Sequence, residues 1–309
     1  MNFYNISEPL NIHRLKVSDL HEIYIEEYGN TDGIPMLFLH GGPGAGISPI
    51  YQKYFDPKKY HLIMFDQRGS GKSKPYAETR ENTTDDLIND INLILDYFSV
   101  DKTNIYGGSW GSTLALLYAE SNPTRVSSLT LRGVFLCRED DISWFYQHGA
   151  SEIYPHYWEN YISLVEKSKR DNILSAYHEM IHSPEEKISM AACKEWSLWE
   201  GRSSCLLPSQ DVINAFDECS TSLAKIESHY FINNCFIEEN QILKNINKIK
   251  DVPCWIVHGQ YDVVCPIRQA YDLHMLYPKS NLIIARDAGH SVLEKSISKE
   301  LVKIFDDVI

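Results

Sequence analysis

The stretch Gly107-Gly108-Ser109-Trp110-Gly111 decides the fold, because it places the pattern Gly-x-Ser-x-Gly between a strand-like and a helix-like segment. Ile105 and Tyr106 precede it, and the helix-compatible segment 112–119 follows it. A strand, a sharp turn and a helix form the context in which a nucleophilic serine is presented to a substrate. The glycines have a steric reason, since a Cβ beside a strained serine would collide with the neighbouring strand or helix.

The pentapeptide alone leaves two interpretations open, because a glycine-rich turn with an inert serine has the same pattern. With glycine and serine each at about 7% of residues, such a match arises by chance in roughly one chain in ten of this length. The role of Ser109 therefore depends on what the rest of the 309 residues place around it.

Short apolar runs alternate with helical patterns on both sides of this turn. Leu15, Val17, Ile23 and Ile25 have period-two spacings, which predict an opening pair of antiparallel strands. Further strands are predicted at 35–39, 62–65, 128–131, 255–258 and 281–284. One helix is predicted to begin at the capping box of Thr83 and Asp86, and another is predicted at 298–309. This alternation predicts an α/β fold with a mostly parallel sheet flanked by helices.

Residues 137–246 have a different character from the flanking sequence. Strand-like runs fade there, and helical patterns contain four of the six tryptophans, namely Trp144, Trp158, Trp196 and Trp199. We interpret residues 137–246 as a helical cap domain, inserted into an α/β catalytic core that is formed by residues 1–136 and 247–309.

Composition excludes several classes of function. The formal net charge of −13 argues against binding of nucleic acid, which requires a basic surface. Seven cysteines without a Cys-x-x-Cys pair give neither a zinc motif nor a redox motif. The first 20 residues lack the apolar segment of a signal peptide, and no run has the length of a membrane span. We therefore expect a cytoplasmic protein with reduced thiols, and no membrane partner.

Gly71-Lys72-Ser73 looks like the end of a phosphate-binding loop that follows the apolar run 62–65. The first glycine of that motif would have to stand at position 66, which is Asp66. The sequence therefore argues against a phosphate site at this loop.

Two residues after later strands complete a candidate catalytic triad with Ser109. Asp262 follows the predicted strand 255–258, and His290 follows the predicted strand 281–284. Open α/β sheets place their chemistry at these strand ends, and the order serine, aspartate, histidine is that of α/β-hydrolases. A serine needs an imidazole to accept its proton, and the imidazole needs a carboxylate to fix its tautomer. We therefore predict Ser109, Asp262 and His290 as the catalytic residues.

An oxyanion formed during attack by serine requires backbone N–H donors. In this fold one donor belongs to the residue after the nucleophile, here Trp110, and another belongs to a loop after an early strand. The glycine-rich stretch 40–44 follows the predicted strand 35–39, and we predict Gly42 as its donor.

With these motifs in place, the chain resembles the prolyl aminopeptidases, also called proline iminopeptidases, of the α/β-hydrolase class. The resemblance runs over essentially the whole chain, and two motifs in the predicted cap are its most specific part. The motifs are His40-Gly41-Gly42-Pro43-Gly44, Asp66-Gln67-Arg68-Gly69-Ser70-Gly71, Gly107-Gly108-Ser109-Trp110-Gly111-Ser112, Trp196-Ser197-Leu198-Trp199-Glu200, Ile226-Glu227-Ser228-His229-Tyr230-Phe231, Gly259-Gln260-Tyr261-Asp262-Val263-Val264-Cys265 and Ala288-Gly289-His290.

The resemblance implies that the protein removes an N-terminal proline from peptides, with Glu200 and Glu227 holding the substrate's free amine. An N-terminal prolyl nitrogen is a secondary ammonium with two N–H bonds, which two carboxylates can accept. For the proline ring the resemblance implies an apolar pocket, for which Phe135, Tyr146 and Cys265 are the candidate residues. Phe135 and Tyr146 are equally compatible with ordinary packing.

The expected function is a serine aminopeptidase that acts through a prolyl-enzyme intermediate and needs no metal or organic cofactor. Two alternatives remain open at this point. One is another α/β-hydrolase, such as an esterase or an aminopeptidase for other small N-terminal residues. The other is a non-catalytic binding protein with the hydrolase fold. The oligomeric state is not encoded in any pattern that we recognise.

Overall fold

The computed structural model describes residues 3–307, which contain one sheet of eight strands in the order β1-β2-β4-β3-β5-β6-β7-β8. The strands are β1 (Asn11–Lys16), β2 (Glu22–Gly29), β3 (Ile34–Leu39), β4 (Tyr60–Asp66), β5 (Thr103–Gly108), β6 (Val126–Arg132), β7 (Cys254–Gly259) and β8 (Ser280–Ala285). β1 and β2 pair antiparallel, as predicted, and β2 also pairs antiparallel with β4. The remaining strands, β4-β3-β5-β6-β7-β8 in sheet order, are parallel to one another.

The sheet is covered on both faces, as its continuous apolar strands require. In β3, Leu37 and Leu39 belong to a core on one face, which includes α1 and α2. Met36 and Phe38 alternate with them and belong to a second core on the other face, together with the last helix. The carboxyl ends of β5, β7 and β8 consequently lie at one edge of the molecule, where the predicted triad is expected.

Twelve α-helices lie within residues 3–307. They are α1 (Thr84–Tyr97), α2 (Trp110–Ser121), α3 (Glu139–Tyr146), α4 (Ala150–Ile153), α5 (Pro155–Ser163), α6 (Ile173–Ile181), α7 (Glu186–Ser203), α8 (Gln210–Glu218), α9 (Ser220–Ile232), α10 (Gln241–Asn245), α11 (Ile267–Leu276) and α12 (Lys295–Asp307). The predicted capping box is confirmed, because Thr83 and Asp86 exchange hydrogen bonds at the start of α1. The last helix begins three residues before the predicted Ser298, and positions 308 and 309 of the prediction lie outside the described residues.

Between β6 and β7 the described chain contains helices α3 to α10 and no strand. Trp196 and Trp199 of α7 are fully buried in the same apolar core as the helices of the sheet's first face. On α9, Ser222 donates a hydrogen bond to the carbonyl oxygen of Gly44 at 2.9 Å, so this helix contacts the loop after β3. The division into a core and a cap at residues 137–246 stays a prediction.

None of the helices in the described part of the chain combines the length and apolar character that crossing a bilayer demands.

Candidate active site

Ser109 lies on the sharp turn between β5 and α2 in a strained backbone conformation. Its φ of 57° and ψ of −126° are unusual for a residue with a side chain. A Cβ on Gly107 would lie 2.1 Å from the carbonyl oxygen of Gly111, and one on Gly111 would lie 2.1 Å from that of Leu39. The strand, the turn and the helix therefore pack at backbone contact. The glycines of the motif have the steric role that the sequence predicts.

The loops after β7 and β8 bring Asp262 and His290 together. Nδ1 of His290 lies 2.7 Å from Oδ2 of Asp262, and both side chains are buried. Oδ1 of Asp262 accepts the backbone N–H of Cys265 at 2.8 Å, while the fully buried His258 lies 3.3 Å from Oδ2. Burial raises the pKa of Asp262, but the two histidines and the Cys265 N–H outweigh it and hold this pKa below its usual value.

Arg132, at the end of β6, occupies a position that the sequence analysis missed. Its Nη1 lies 3.1 Å from Nε2 of His290 and donates to the His290 carbonyl oxygen at 2.9 Å. Because arginine only donates, Nε2 must be the unprotonated nitrogen, and the proton on Nδ1 points at Asp262. The imidazole is therefore held in the tautomer that a general base requires.

Ser109 and His290 are not joined by a hydrogen bond within residues 3–307, because the Arg132 guanidinium occupies Nε2 instead. Arg132 also lies close to the nucleophile's turn, since a Cβ on Gly108 would be 2.4 Å from its Nη2. Gly133 leaves room for the imidazole, because a Cβ there would lie 2.8 Å from Cε1 of His290. The structure thus brings Asp262 and His290 together directly, while the backbone N–H of Ser109 donates to the carbonyl oxygen of Arg132 at 2.8 Å.

The predicted oxyanion donors lie beside Ser109. A Cβ on Gly41 would be 3.3 Å from the Cβ of Ser109, and Gly42 lines the same cavity as Ser109. Trp110 is the first residue of α2, so its N–H precedes the helical hydrogen-bond ladder. Within residues 3–307 neither the Trp110 nor the Gly42 N–H has a hydrogen-bond partner. Both donors are therefore available to an external oxygen.

A buried network, also missed by the sequence analysis, ties the two donor segments together. The Trp110 indole donates to Oε1 of Gln67 at 2.9 Å, and the Gln67 side-chain amide donates to the carbonyl oxygen of His40 at 2.9 Å. Nε2 of His40 in turn accepts the Gln67 backbone N–H. Burial lowers the pKa of His40 to about 4, so it stays neutral and able to accept.

Two buried glutamates line the same cavity as Ser109. Glu200 on α7 is 5% exposed and Glu227 on α9 is 1% exposed. Oε2 of Glu227 accepts the Trp196 indole N–H at 2.6 Å, whereas Oε2 of Glu200 has no partner among the described residues. Burial raises the pKa of Glu200 to about 7, although a hydrogen bond with Glu227 and the charge of Arg132 oppose it. Burial and then the Glu200 charge raise the pKa of Glu227 well above its usual value.

All the residues predicted to bind substrate line one small cavity of about 20 Å³ together with Ser109 and Gly42; they are Phe135, Tyr146, Glu200, Glu227 and Cys265. Sequence reasoning missed Asp141, Ile142, Phe145, Phe231 and Val264, which also line it. The aromatic walls are packed against one another, since Tyr146 stacks on Trp196 with ring centroids 4.3 Å apart. The cavity therefore has largely aromatic walls, with polar groups from its carboxyls, Ser109 and the Tyr146 hydroxyl.

The loop with Gly71-Lys72-Ser73 is folded around a carboxylate and not around an anion site. Asp66 accepts the backbone N–H groups of Ile47 and Lys72 at 2.7 Å each. A Cβ on Gly71 would lie 2.3 Å from Oδ2 of Asp66. The carboxylate occupies the backbone donors that a phosphate would need, in agreement with the sequence argument against a phosphate site.

Residues 34–296 match the α/β-hydrolase fold family. A "Probable proline iminopeptidase" from Leptolyngbya boryana is 47% identical over 98% of this chain and 95% of its own length. The proline iminopeptidase of Arabidopsis thaliana is 44% identical over 96% of this chain and 79% of its own length. The chain belongs to the proline iminopeptidase family. The family and the α/β fold predicted from the sequence are thereby confirmed.

Solved structures agree with the proline iminopeptidase family on the fold. A bromoperoxidase from Bacillus anthracis superimposes with a TM-score of 0.70 at 18% identity, covering 96% of this chain and 100% of its own. At that identity the likeness concerns the fold alone. The catalytic and substrate-binding roles of the individual residues stay predictions.

Proposed function

We propose that this protein is a serine aminopeptidase that releases an N-terminal proline from peptides. The observation that carries the proposal is the pair of buried carboxyls, Glu200 and Glu227, on the wall of the cavity that contains Ser109. A buried carboxyl with an unpaired oxygen requires a cationic or donor ligand for its charge to be compensated. The relatives' name fits such a ligand, because an N-terminal amine is the cation that an aminopeptidase substrate supplies.

The amine of the substrate docks on Glu200 and Glu227, which accept its two N–H bonds. An internal peptide nitrogen has no charge and at most one N–H, so it would leave the carboxyls desolvated and unpaired. The carboxyl pair thus selects for a free N-terminus. Phe135, Tyr146 and Phe231, which line the same cavity as the carboxyls, offer the pyrrolidine ring an apolar surface.

The bond is broken by Ser109, which attacks the prolyl carbonyl while His290 accepts its proton and Asp262 stabilises the imidazolium. For this step Nε2 of His290 must exchange the Arg132 guanidinium for the Ser109 hydroxyl. The N–H groups of Trp110 and Gly42 stabilise the oxyanion. His290 then protonates the departing amine, and water hydrolyses the prolyl-enzyme by the reverse route.

Two accompanying proposals come from the sequence. We assign the protein to the cytoplasm, because its seven cysteines have no disulfide-like spacing and carry free thiols. We also assign residues 137–246 to a cap domain that provides the amine site, since Glu200 and Glu227 both lie on its helices.

The test is kcat/KM on prolyl, alanyl and leucyl aminomethylcoumarin amides and on the N-acetylprolyl amide. We expect a preference for the prolyl amide that is lost on acetylation, and no turnover by Ser109→Ala. Glu200→Gln should lose its activity on the prolyl amide but still hydrolyse p-nitrophenyl acetate, an ester without an amine. Equal turnover of the acetylated amide would overturn the role of the carboxyl pair, and faster hydrolysis of esters than of every aminoacyl amide would favour an esterase.

A further inference from the structure

The loop that carries His290 is hydrogen-bonded to the end of α7, the helix that carries Glu200. The backbone N–H groups of His290 and Ser291 both donate to the carbonyl oxygen of Ser204, each at 2.8 Å. The Ser204 hydroxyl in turn donates to the carbonyl oxygen of Glu200 at 2.9 Å. One turn of helix therefore separates the amine site from the contact with the general base.

Glu294, which directly precedes α12, connects the same two segments a second time. Its Oε1 accepts the backbone N–H of Leu206 at 3.0 Å, and its Oε2 accepts the backbone N–H of Gly289. Within residues 3–307 it forms no ion pair with a lysine, arginine or histidine. The carboxylate of Glu294 is thus used by two backbone donors, one from each segment.

The two segments approach each other at backbone contact beside Glu294. A Cβ on Gly289 would lie 3.0 Å from the nitrogen of Leu206 and 3.2 Å from the carbonyl carbon of Cys205. A side chain at position 289 would therefore push the histidine loop away from the end of α7.

On the sheet side His290 has separate anchors. Asp262 holds its Nδ1, and Arg132 holds its carbonyl oxygen. The imidazole therefore has support that does not depend on Glu294, whereas the end of α7 is joined to this loop by the Ser204 carbonyl oxygen, by Glu294 and by a hydrogen bond between the side chains of Cys205 and Ser291. The bridge through Glu294 adds to these contacts and helps to fix α7, and with it Glu200, relative to the histidine.

We propose that Glu294 is a positioning residue, which sets the distance between the amine site and the catalytic histidine. The inference rests on the proposed aminopeptidase function. In an N-terminal residue, only the α-carbon separates the amine from the carbonyl under attack, so the two sites must be held in close register. A misplacement of about 1 Å far from the chemistry can cost ~10²-fold in rate.

The test compares the prolyl amide with p-nitrophenyl acetate in wild type, Glu294→Gln and Glu294→Ala. The glutamine keeps one acceptor, so we expect kcat/KM for the amide to fall about 10-fold in Glu294→Gln. The alanine keeps none, so we expect a fall of about 100-fold in Glu294→Ala. The ester needs only the sheet-side residues and should change less than about threefold. Glu300→Gln is the control, because it makes the same charge change on α12 at a side chain that has no hydrogen bond or ion pair among the described residues. It should leave the activity on both substrates unchanged.

The ratio of the two activities does not depend on how much of a variant is folded. If Glu294 only stabilised the fold, both activities would fall in proportion and the ratio would stay constant, which would overturn the proposal. Hydrogen exchange gives a second readout, since the amides of Gly289 and Leu206 should exchange faster in Glu294→Gln than in wild type. Failure of wild type to hydrolyse the prolyl amide would instead refute the proposed function, independently of the variants.

Discussion

Two buried carboxyl sites of this molecule, one on the sheet side and one on the helical side, have opposite electrostatics. Asp262 is surrounded by two histidines and a backbone N–H, and these donors hold its pKa below its usual value in spite of burial. Glu200 and Glu227 are as deeply buried but have few donors, and burial raises the pKa of both. The same chemical group is thus kept charged in one place and favours its proton in the other.

The difference separates a carboxylate that the fold itself supplies with donors from a pair of carboxyls that is suited to a ligand. Asp262 has its donors in the folded chain and needs nothing further. Glu200 has an oxygen without a partner among residues 3–307, and its neighbour is another carboxyl. A cation that enters between Glu200 and Glu227 would supply the donors that the fold leaves out.

The largest effect is expected from removing the charge of Asp262. Asp262→Asn should lower kcat by ~10⁴-fold on both the prolyl amide and p-nitrophenyl acetate, because the amide would stabilise the wrong imidazole tautomer. Steady-state kinetics on the two substrates checks this. Asp251→Asn, which changes an exposed carboxylate, is the control. A loss below about tenfold would contradict the orienting role of Asp262.

Replacing the carboxyl of Glu227 should affect the prolyl amide and the ester differently. Glu227→Gln should lower kcat/KM for the prolyl amide by about 10³-fold, since it removes one buried acceptor of a charged amine. The ester, which has no amine, should change by less than about threefold. Glu186→Gln, an exposed carboxylate on the same helix as Glu200, is the control. Equal losses on both substrates would show that the variant had damaged the whole cavity.

The sheet side could be predicted from the sequence in more detail than the helical side. Strand periodicity and the order of the motifs place Ser109, Asp262 and His290 at strand ends, where the structure has them. Glu200 and Glu227 carry no such pattern, because a glutamate on a helix is ordinarily solvent-exposed. They were found only through the resemblance to a family.

Arg132 and Glu294 could not be identified from the sequence, for physical reasons that differ. Arg132 ends the mixed polar and apolar strand β6, and only the approach of the loop after β8 gives it a histidine as a partner. Glu294 precedes a helix, where an acidic residue normally serves as a local cap. Its bond to Leu206 spans 88 positions, a tertiary contact that no local pattern encodes.

The burial of Glu200 should have a measurable cost in stability. Burial raises the pKa of Glu200 from its ordinary 4.5 to about 7, so the protonated carboxyl adds stability that is fully present below pH 4.5 and is lost as the pH rises through 7. Glu200→Gln should therefore raise the free energy of unfolding at pH 8, by on the order of a few kcal/mol, and raise it less at pH 5. Urea denaturation at the two pH values measures both changes. A destabilised variant at pH 8 would contradict the uncompensated charge.

The smallest effect concerns the pH dependence of substrate selection in wild type. Below pH 7 the Glu200 carboxyl holds a proton, which a cationic amine must displace before it can bind. The ester reports the titration of the sheet-side residues alone, so the ratio of kcat/KM for the prolyl amide to that for the ester isolates the carboxyl pair. Between pH 7 and pH 5.5 this ratio should fall by up to about tenfold per pH unit, the slope for one proton. In Glu200→Gln the ratio should be low and should depend less on pH than in wild type. A wild-type ratio that stayed constant over this range would mean that the pair binds the amine without losing a proton.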